Sequence, residues 1–329
     1  WLYRFIALSQ LPAQVALSWG QDSMERDIVA RRAQVGYALV AVLWMVSALM
    51  LLVSALVFQA RTELHTVTAG RDIAVGEARA SAAIHLAART ISADVGAFFR
   101  QRVLDFEFDG EAVRVVVTPL SGLIAINFAP EQLLTALFVH GAGVDPGLAQ
   151  SLAQRVMDWR DPDVASLPKG AEDPEYVVAG VPFRTRGAPF EAPEDVLQVL
   201  GMDLTTYDKI KKLITVDGRS ARTNPLAAPP DVLVVLAQGN TAAAGRVAAA
   251  RDAGQVQVDT TSLMQEFIDQ SSSSRFRLKA LVPISGGRTL MRASVVETAQ
   301  AADSRTPWDV LRSERPEIVS GDFVRRMPE

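Results

Sequence analysis

The sequence predicts an α+β fold: a long N-terminal helix packed on an antiparallel sheet, a large α-helical domain inserted in that sheet, and a single transmembrane helix. Three observations predict it. An uncharged apolar run follows a basic cluster near the N-terminus. Alternating strand patterns occur early in the chain and again late. The long stretch between them carries repeated helix-start signals and little strand pattern.

Arg26, Arg31 and Arg32 precede Gly36, and no residue from Tyr37 to Phe58 is charged. As a helix that run is about 33 Å long, which spans a hydrocarbon core of about 30 Å. The basic residues put its N-terminal side in the cytoplasm and the chain beyond Phe58 across the membrane. An ordinary signal anchor has the same hydropathy. A type IV prepilin leader differs in placing a basic peptide and a glycine before the apolar run; cleavage after the glycine leaves the apolar segment on the mature protein. Gly36 followed at once by Tyr37-Ala38-Leu39-Val40-Ala41 fits that pattern. A secretory signal peptide wants a shorter apolar core with a small-residue site behind it. Gly36 and Tyr37 are therefore the candidate processing residues. Counted from Tyr37, the fifth position is Ala41, where most pilin-like proteins carry glutamate. Met24 opens a compact leader over residues 24–36, and residues 1–23 are read as a non-native or mis-called upstream segment, outside the fold reasoning.

No proline occurs between Pro12 and Pro119, so a helix can start in the membrane and continue beyond it. Arg61 to Phe99 is alanine-rich, and Ile84, Ile91, Val95 and Phe98 form one apolar stripe that needs a sheet to cover it. Gly70 and Gly76 predict a bend there. Val103–Phe108 and Ala112–Thr118 alternate as strands around Asp109-Gly110, a strong hairpin signal. Leu123–Ile126 reads as a third short strand. Arg275–Ile284 and Thr289–Glu297 alternate around Ser285-Gly286-Gly287-Arg288. One sheet interrupted by a helical domain accounts for this order.

The inserted stretch contains a short repeat. Ala129-Pro130-Glu131-Gln132-Leu133-Leu134, Ala192-Pro193-Glu194-Asp195-Val196-Leu197 and Ala228-Pro229-Pro230-Asp231-Val232-Leu233 are each followed by a leucine three residues on. Proline and acids suit a first helical turn. The spacing is too uneven for a solenoid, so these are short helices burying leucines against one another. The first repeat runs into His140-Gly141-Ala142-Gly143-Val144, which resembles a helix-hairpin-helix and so raises nucleic acid as a rival partner. The following helix carries few bases and acids succeed it.

Asp158, Asp161, Asp163, Glu172, Asp173 and Glu175 crowd a segment that Pro162, Pro168, Gly170 and Pro174 force into a loop. Clustered carboxylates repel unless solvated or bridged by a hard cation. With no Cys or His nearby, calcium is the natural ion, and a solvated acidic loop is the alternative. The spacing is not that of an EF-hand.

The chain of 329 residues has a net charge of −4 and no cysteine, which argues against nucleic-acid binding and excludes disulfides, thiol nucleophiles and Cys-based zinc. His65, His85 and His140 are far apart. There is no phosphate loop and no G-x-S-x-G elbow, so nothing points to an enzyme.

Taken together, several segments resemble the general secretion pathway protein K family, the largest minor pseudopilin of type II secretion. They are the leader with Gly36-Tyr37-Ala38-Leu39, Gly122-Leu123-Ile124-Ala125-Ile126-Asn127, Asp158-Trp159-Arg160-Asp161-Pro162-Asp163, Lys169-Gly170-Ala171-Glu172-Asp173, Pro189-Phe190 with Glu194-Asp195-Val196-Leu197, and Leu213-Ile214-Thr215-Val216. The resemblance covers roughly Arg31 to Glu297. It implies a type IV pilin-like helix and sheet with an inserted helical domain. It further implies cleavage by prepilin peptidase with methylation, and assembly with other minor pseudopilins at the tip of a periplasmic pseudopilus that supports export of folded proteins. A single-pass inner-membrane location with a periplasmic C-terminal domain follows. Members lack the position-five glutamate, in agreement with Ala41. The resemblance also implies a structural calcium in the inserted domain, carried here to Asp161, Asp163, Glu172 and Asp173. Tyr37 as first mature residue and Asn224-Pro225-Leu226 depart from the family pattern. The expected layout is leader 24–36, transmembrane helix 37–58, pilin-like helix and first strands 59–127, inserted domain 128–270, closing strands 271–298, and an unusually long, disordered tail 299–329. The alternative is a bitopic envelope protein whose helix-hairpin-helix-like domain binds a protein or nucleic acid.

Overall fold

The computed structural model describes residues 13–255, 257–298 and 306–320, with side-chain environments for residues 37–59, 68–255, 257–298 and 306–319. The readings made for residues 1–12, 299–305 and 321–329 lie outside the described residues. The chain divides into two compact units, residues 1–71 and 72–329.

The first unit contributes the start of helix α1 (Ala13–Ala93). Within it, Tyr37–Gln59 is 23 residues long and apolar enough to cross a membrane, and its large side chains, from Leu39 to Phe58, are exposed. Gly36 lies inside α1 rather than at a break.

In the second unit the last turns of α1 pack on a sheet. Ala80, Ala83, Ile84, Ala87, Ala88 and Ile91 are buried against Val113, Val115, Val117, Phe276, Leu278, Ala280 and Val282. Most of the stripe is alanine, which lets the helix approach the strands closely. α1 stays helical through both glycines rather than breaking there. At Gly76 the reason for glycine is proximity, because a Cβ would sit 3.1 Å from Ile284 Cγ2. Asp94 ends the helix and its carboxylate accepts from the Ala97 amide at 3.1 Å, starting a 3-10 turn over Val95–Phe98.

Strands β1 (Arg102–Phe108) and β2 (Glu111–Pro119) form the expected hairpin, Phe108 facing Glu111. Asp109 and Gly110 both take positive φ, 53° and 79°, the two-residue turn whose twist matches the strands. The chain leaves for the inserted domain and returns as β5 (Arg275–Ile284), antiparallel to β2, with Pro119 opposite Phe276. β6 (Arg288–Glu297) pairs with β5 along its whole length.

Within the tail, the described residues 306–320 correct the expectation of disorder. β7 (Asp309–Ser313) and β8 (Glu317–Ser320) both pair with β6, one on each half, giving the order β1-β2-β5-β6-β7 with β8 also on β6. Trp308 returns to α1, its ring 6.2 Å from that of His85. The short tail strands lack a long alternation, so the sequence pattern did not show them. Leu123–Ile126 also needs correction. Its core, β3 (Ile124–Ala125), does not join the main sheet; it pairs in parallel with β4 (Ile214–Thr215) within the inserted domain.

The inserted domain has its own core, centred on Leu133, Leu137, Phe138, Leu152, Trp159, Tyr176, Val232 and Leu236. Its helices are α2 (Glu131–Ala136), α3 (Pro146–Arg160), α4 (Asp173–Val178), α5 (Leu204–Ile210), α6 (Pro230–Leu236) and α7 (Thr241–Asp252). The first and third Ala-Pro repeats start α2 and α6 as predicted. The second is a 3-10 segment, Pro193–Gln198, because Val199 leaves the helical conformation immediately after it.

Candidate functional site: the acidic loop of the inserted domain

Helix α3 sets the site. Asp145 caps its start, accepting from the Gly147 amide at 2.8 Å, and Pro146 occupies the first turn. At the other end three consecutive residues tie down the acidic loop. The fully buried Asp158 carboxylate accepts from the amides of Ala171 at 2.8 Å and Leu167 at 3.1 Å. Trp159 stacks on Phe190, centroids 6.2 Å apart, and meets Tyr176 at 5.9 Å. Arg160 donates to the carbonyls of Ile126 and Ala129, locking α3 to the end of β3. Gly170 is required by Asp158: a Cβ there would lie 1.7 Å from Asp158 Oδ2.

Across the loop, Glu172 opens α4 and is buried. Its amide donates to Glu175 Oε2 at 2.8 Å, and its Oε2 accepts from Thr185 Oγ1 at 2.9 Å. Thr185 also bonds Asp173 Oδ1, at 3.0 Å from its hydroxyl and 3.1 Å from its amide. Asp163 Oδ1 accepts from the Ala165 amide at 2.8 Å. Two oxygens are left over: Asp161 Oδ1 and Glu172 Oε1 are buried with no donor.

The electrostatics match this crowding. Burial pushes the Asp158 carboxyl up; the Leu167 and Ala171 amides oppose it, and Asp161 and Asp163 add to the rise. Burial also pushes Glu172 up, against the Thr185 hydrogen bond, with Asp158, Asp161 and Asp163 adding repulsion. Oxygen donors without partners and mutually repelling carboxylates are what a hard cation relieves. The four expected ligands differ in fit. Asp161 and Glu172 each offer a buried free oxygen, and the Asp163 charge is felt at Glu172. Asp173 spends Oδ1 on Thr185 and faces Arg184, Oδ2 to Nη1 at 4.0 Å. Among the described residues, no group of three or more acidic or histidine side chains converges tightly enough to enclose an ion in this conformation. Asp158, which the sequence reading placed in the cluster but not among the ligands, is the residue that shapes the loop.

The helix-hairpin-helix is present in form, with Gly143 at φ 71° between the segment Leu137–Gly141 and α3. Its bases are spent internally. Arg155 donates to Leu200 O at 2.9 Å, and Arg160 is held as above. Neither arginine of α3 is therefore free to meet a phosphate backbone.

Residues 124–218, from β3 through the acidic loop to β4, match the family model described as type II secretion system (T2SS), protein K. The fold resembles a chain of the GspK-GspI-GspJ complex of the enterotoxigenic Escherichia coli type 2 secretion system. The TM-score is 0.58 at 19% identity, over 75% of this chain and 97% of that one. No curated protein matches the sequence. The chain is thus similar to type II secretion protein K in the matched part of its inserted domain, and to that complex's chain in the pilin-like fold that carries it.

Proposed function

We propose that the chain is a minor pseudopilin of the type II secretion system. In this reading Tyr37–Gln59 holds it in the inner membrane and the unit from residue 72 onward lies in the periplasm. There it joins other minor pseudopilins at the tip of the pseudopilus. The observation that carries the reading is a protein K domain inserted between β2 and β5 of a pilin-like sheet. The role is structural rather than enzymatic. An apolar helix with exposed side chains is stable in lipid and can pack beside partner helices as they assemble. The inserted domain adds bulk on the far side of the sheet connection, which suits a subunit that ends a fibre rather than continues it.

Prepilin peptidase removes residues up to Gly36 and leaves Tyr37 as the methylated N-terminus. Calcium, held by Asp161 and Glu172 with Asp163 beside them, neutralises the loop and orders it; Asp173 contributes less because Thr185 already occupies it.

The test is co-purification of the full chain from detergent-solubilised membranes together with candidate pilin-like subunits. A stable complex of this chain with at least two of them is the expected result. A chain that stays monomeric with all of them overturns the reading.

A further inference from the structure

The main sheet has a second face, away from α1. On it Arg277 and Lys279 of β5 alternate with the residues that pack on the helix. This face and the inserted domain enclose a cleft of about 730 Å³, within the range of about 300–1,000 Å³ typical of ligand sites. Its wall is strongly basic for a chain of net charge −4. Arg100, Arg102, Lys212, Arg251, Arg277 and Lys279 line it, against Asp231 and Asp252.

Most of these cations are engaged. Arg100 and Arg251 share Asp252 at 3.1 and 2.9 Å, Lys212 meets Asp231 at 2.6 Å, and Arg277 meets Glu314 at 2.7 Å. Lys279 is the exception. It is half-buried in the middle of the sheet, opposite Val116 and Ala293, and makes no ion pair or hydrogen bond among the described residues. Burial, then the neighbouring Arg277, pulls its ammonium group down; Glu314 and Glu317 oppose this from beyond contact. A half-buried cation with no counter-charge on the floor of a cleft favours an anionic group there.

We propose that this cleft is a binding site for an extended acidic peptide segment, with a carboxylate of the segment pairing with Lys279. The geometry favours a peptide over a single small anion. Arg277 and Lys279 stand two residues apart on one strand face, about 7 Å along the strand. Alternate side chains of an extended peptide repeat at the same distance, so an acid that pairs with Lys279 sets its second neighbour beside the Arg277–Glu314 pair, where a polar side chain can join it. Apolar walls from Val103, Val116, Leu213 and Pro229 suit the residues between them. This site is independent of the calcium loop and of the assembly proposed above.

The test uses the full chain in detergent micelles and a six-residue peptide of alternating glutamate and alanine as probe. Saturable binding that weakens as salt rises is expected. Lys279→Gln should weaken it at least tenfold, while Arg246→Gln, on exposed α7, should leave it unchanged. The peptide should also protect Lys279 from acetylation, which reads the site without any variant. Binding that is unaffected by Lys279→Gln overturns the proposal. So does equal binding of a lysine–alanine peptide, full competition by equimolar inorganic phosphate, or acetylation of Lys279 unchanged by the peptide.

Discussion

Arg312 of the tail strand β7 places Nη2 2.7 Å from Oδ2 of Asp217, just beyond β4 in the inserted domain. The pair belongs to a chain of contacts. Arg312 Nη1 is 3.6 Å from Glu314, which pairs with Arg277 of β5 at 2.7 Å. Arg275 donates to the Asp217 carbonyl at 2.8 Å and to Glu297 at 3.0 Å, and Glu297 also meets Arg219 at 3.2 Å. Three parts of the chain that are distant in sequence meet here: the main sheet, the tail and the inserted domain.

The pair is mostly shielded from solvent, with side-chain exposures of 20% and 16%. Removing one partner leaves the other charge unpaired, so Arg312→Ala or Asp217→Ala should each destabilise by about 2 kcal/mol, between the values for exposed and buried pairs. The double variant should cost less than the sum, with a coupling of about 1 kcal/mol. Thermal melts of the four proteins measure it. Strict additivity would show that the contact contributes no net stability.

Gly170→Ala should cost about 3 kcal/mol or more. The new Cβ displaces Asp158 from the Ala171 and Leu167 amides, combining overpacking with lost bonds to a buried charge. Gly180→Ala is the comparison. It has positive φ but open space around it, so only backbone strain of about 1 kcal/mol applies. Equal losses in the two variants would mean that the close approach to Asp158 is not what fixes glycine at 170.

The parts of the fold that were legible in sequence are those where one local signal decides the outcome. Asp109-Gly110 sets the hairpin, and the alternation of Phe276, Leu278, Ala280 and Val282 sets β5. The uncharged run after Arg32 marks the stretch of α1 that is long and apolar enough to cross a membrane. What was not legible depends on contacts between distant segments. β3 and β4 are two residues each and exist only because Ile124 meets Ile214. β7 and β8 are recruited by the free side of β6. In the acidic loop, residue types announced the charge cluster. They could not say that Asp158 would turn inward to bind amides while Asp161 and Glu172 kept an oxygen free.

Glu172 makes the pH dependence of the loop testable. Its folded value is raised above the ordinary 4.5, so the unfolded chain releases this proton more readily than the folded one. The protonated folded form is therefore favoured below the ordinary value, and that advantage is lost as pH rises through the raised value. Without metal, Glu172→Gln should thus be more stable than the wild type at neutral pH, and the difference should vanish below the ordinary value. Calcium should reverse the order. At a hundredfold excess over Kd it adds about 2.7 kcal/mol to the wild type by mass action, and Glu172→Gln or Asp161→Asn should lose most of that gain. Melts at several pH values, with calcium and with chelator, check both halves. Identical curves with calcium and chelator would make the loop a self-contained acidic cluster.

Processing offers a simpler test. Mass spectrometry of the membrane-extracted protein should find Tyr37 at the N-terminus, and Gly36→Leu should abolish that product while leaving the uncut chain in the membrane. An intact Met24 end in the wild type, or a cut beyond Phe58, contradicts a prepilin leader.

Ala41 lies on the apolar stretch of α1, five residues from the proposed cut, where its side chain is exposed. A glutamate at that position can be neutralised in a fibre by the free amine of a neighbouring subunit on the tip side. A subunit at the tip has no such neighbour, and an unpaired carboxylate in hydrocarbon costs about 2.5–3.5 kcal/mol by insertion scales. Alanine avoids the cost. Ala41→Glu should therefore bring no gain in recovery of the tip complex and should modestly weaken retention in the membrane. Its glutamate-bearing partners, by contrast, should lose assembly when theirs is replaced by alanine. Pull-down of the complex and the fraction of chain in the membrane pellet are the two measurements. If Ala41→Glu instead entered the fibre shaft repeatedly at normal yield, charge at this position would not be what confines the chain. The bulk of the inserted domain, which would clash with a subunit stacked above it, would then be the physical limit on assembly.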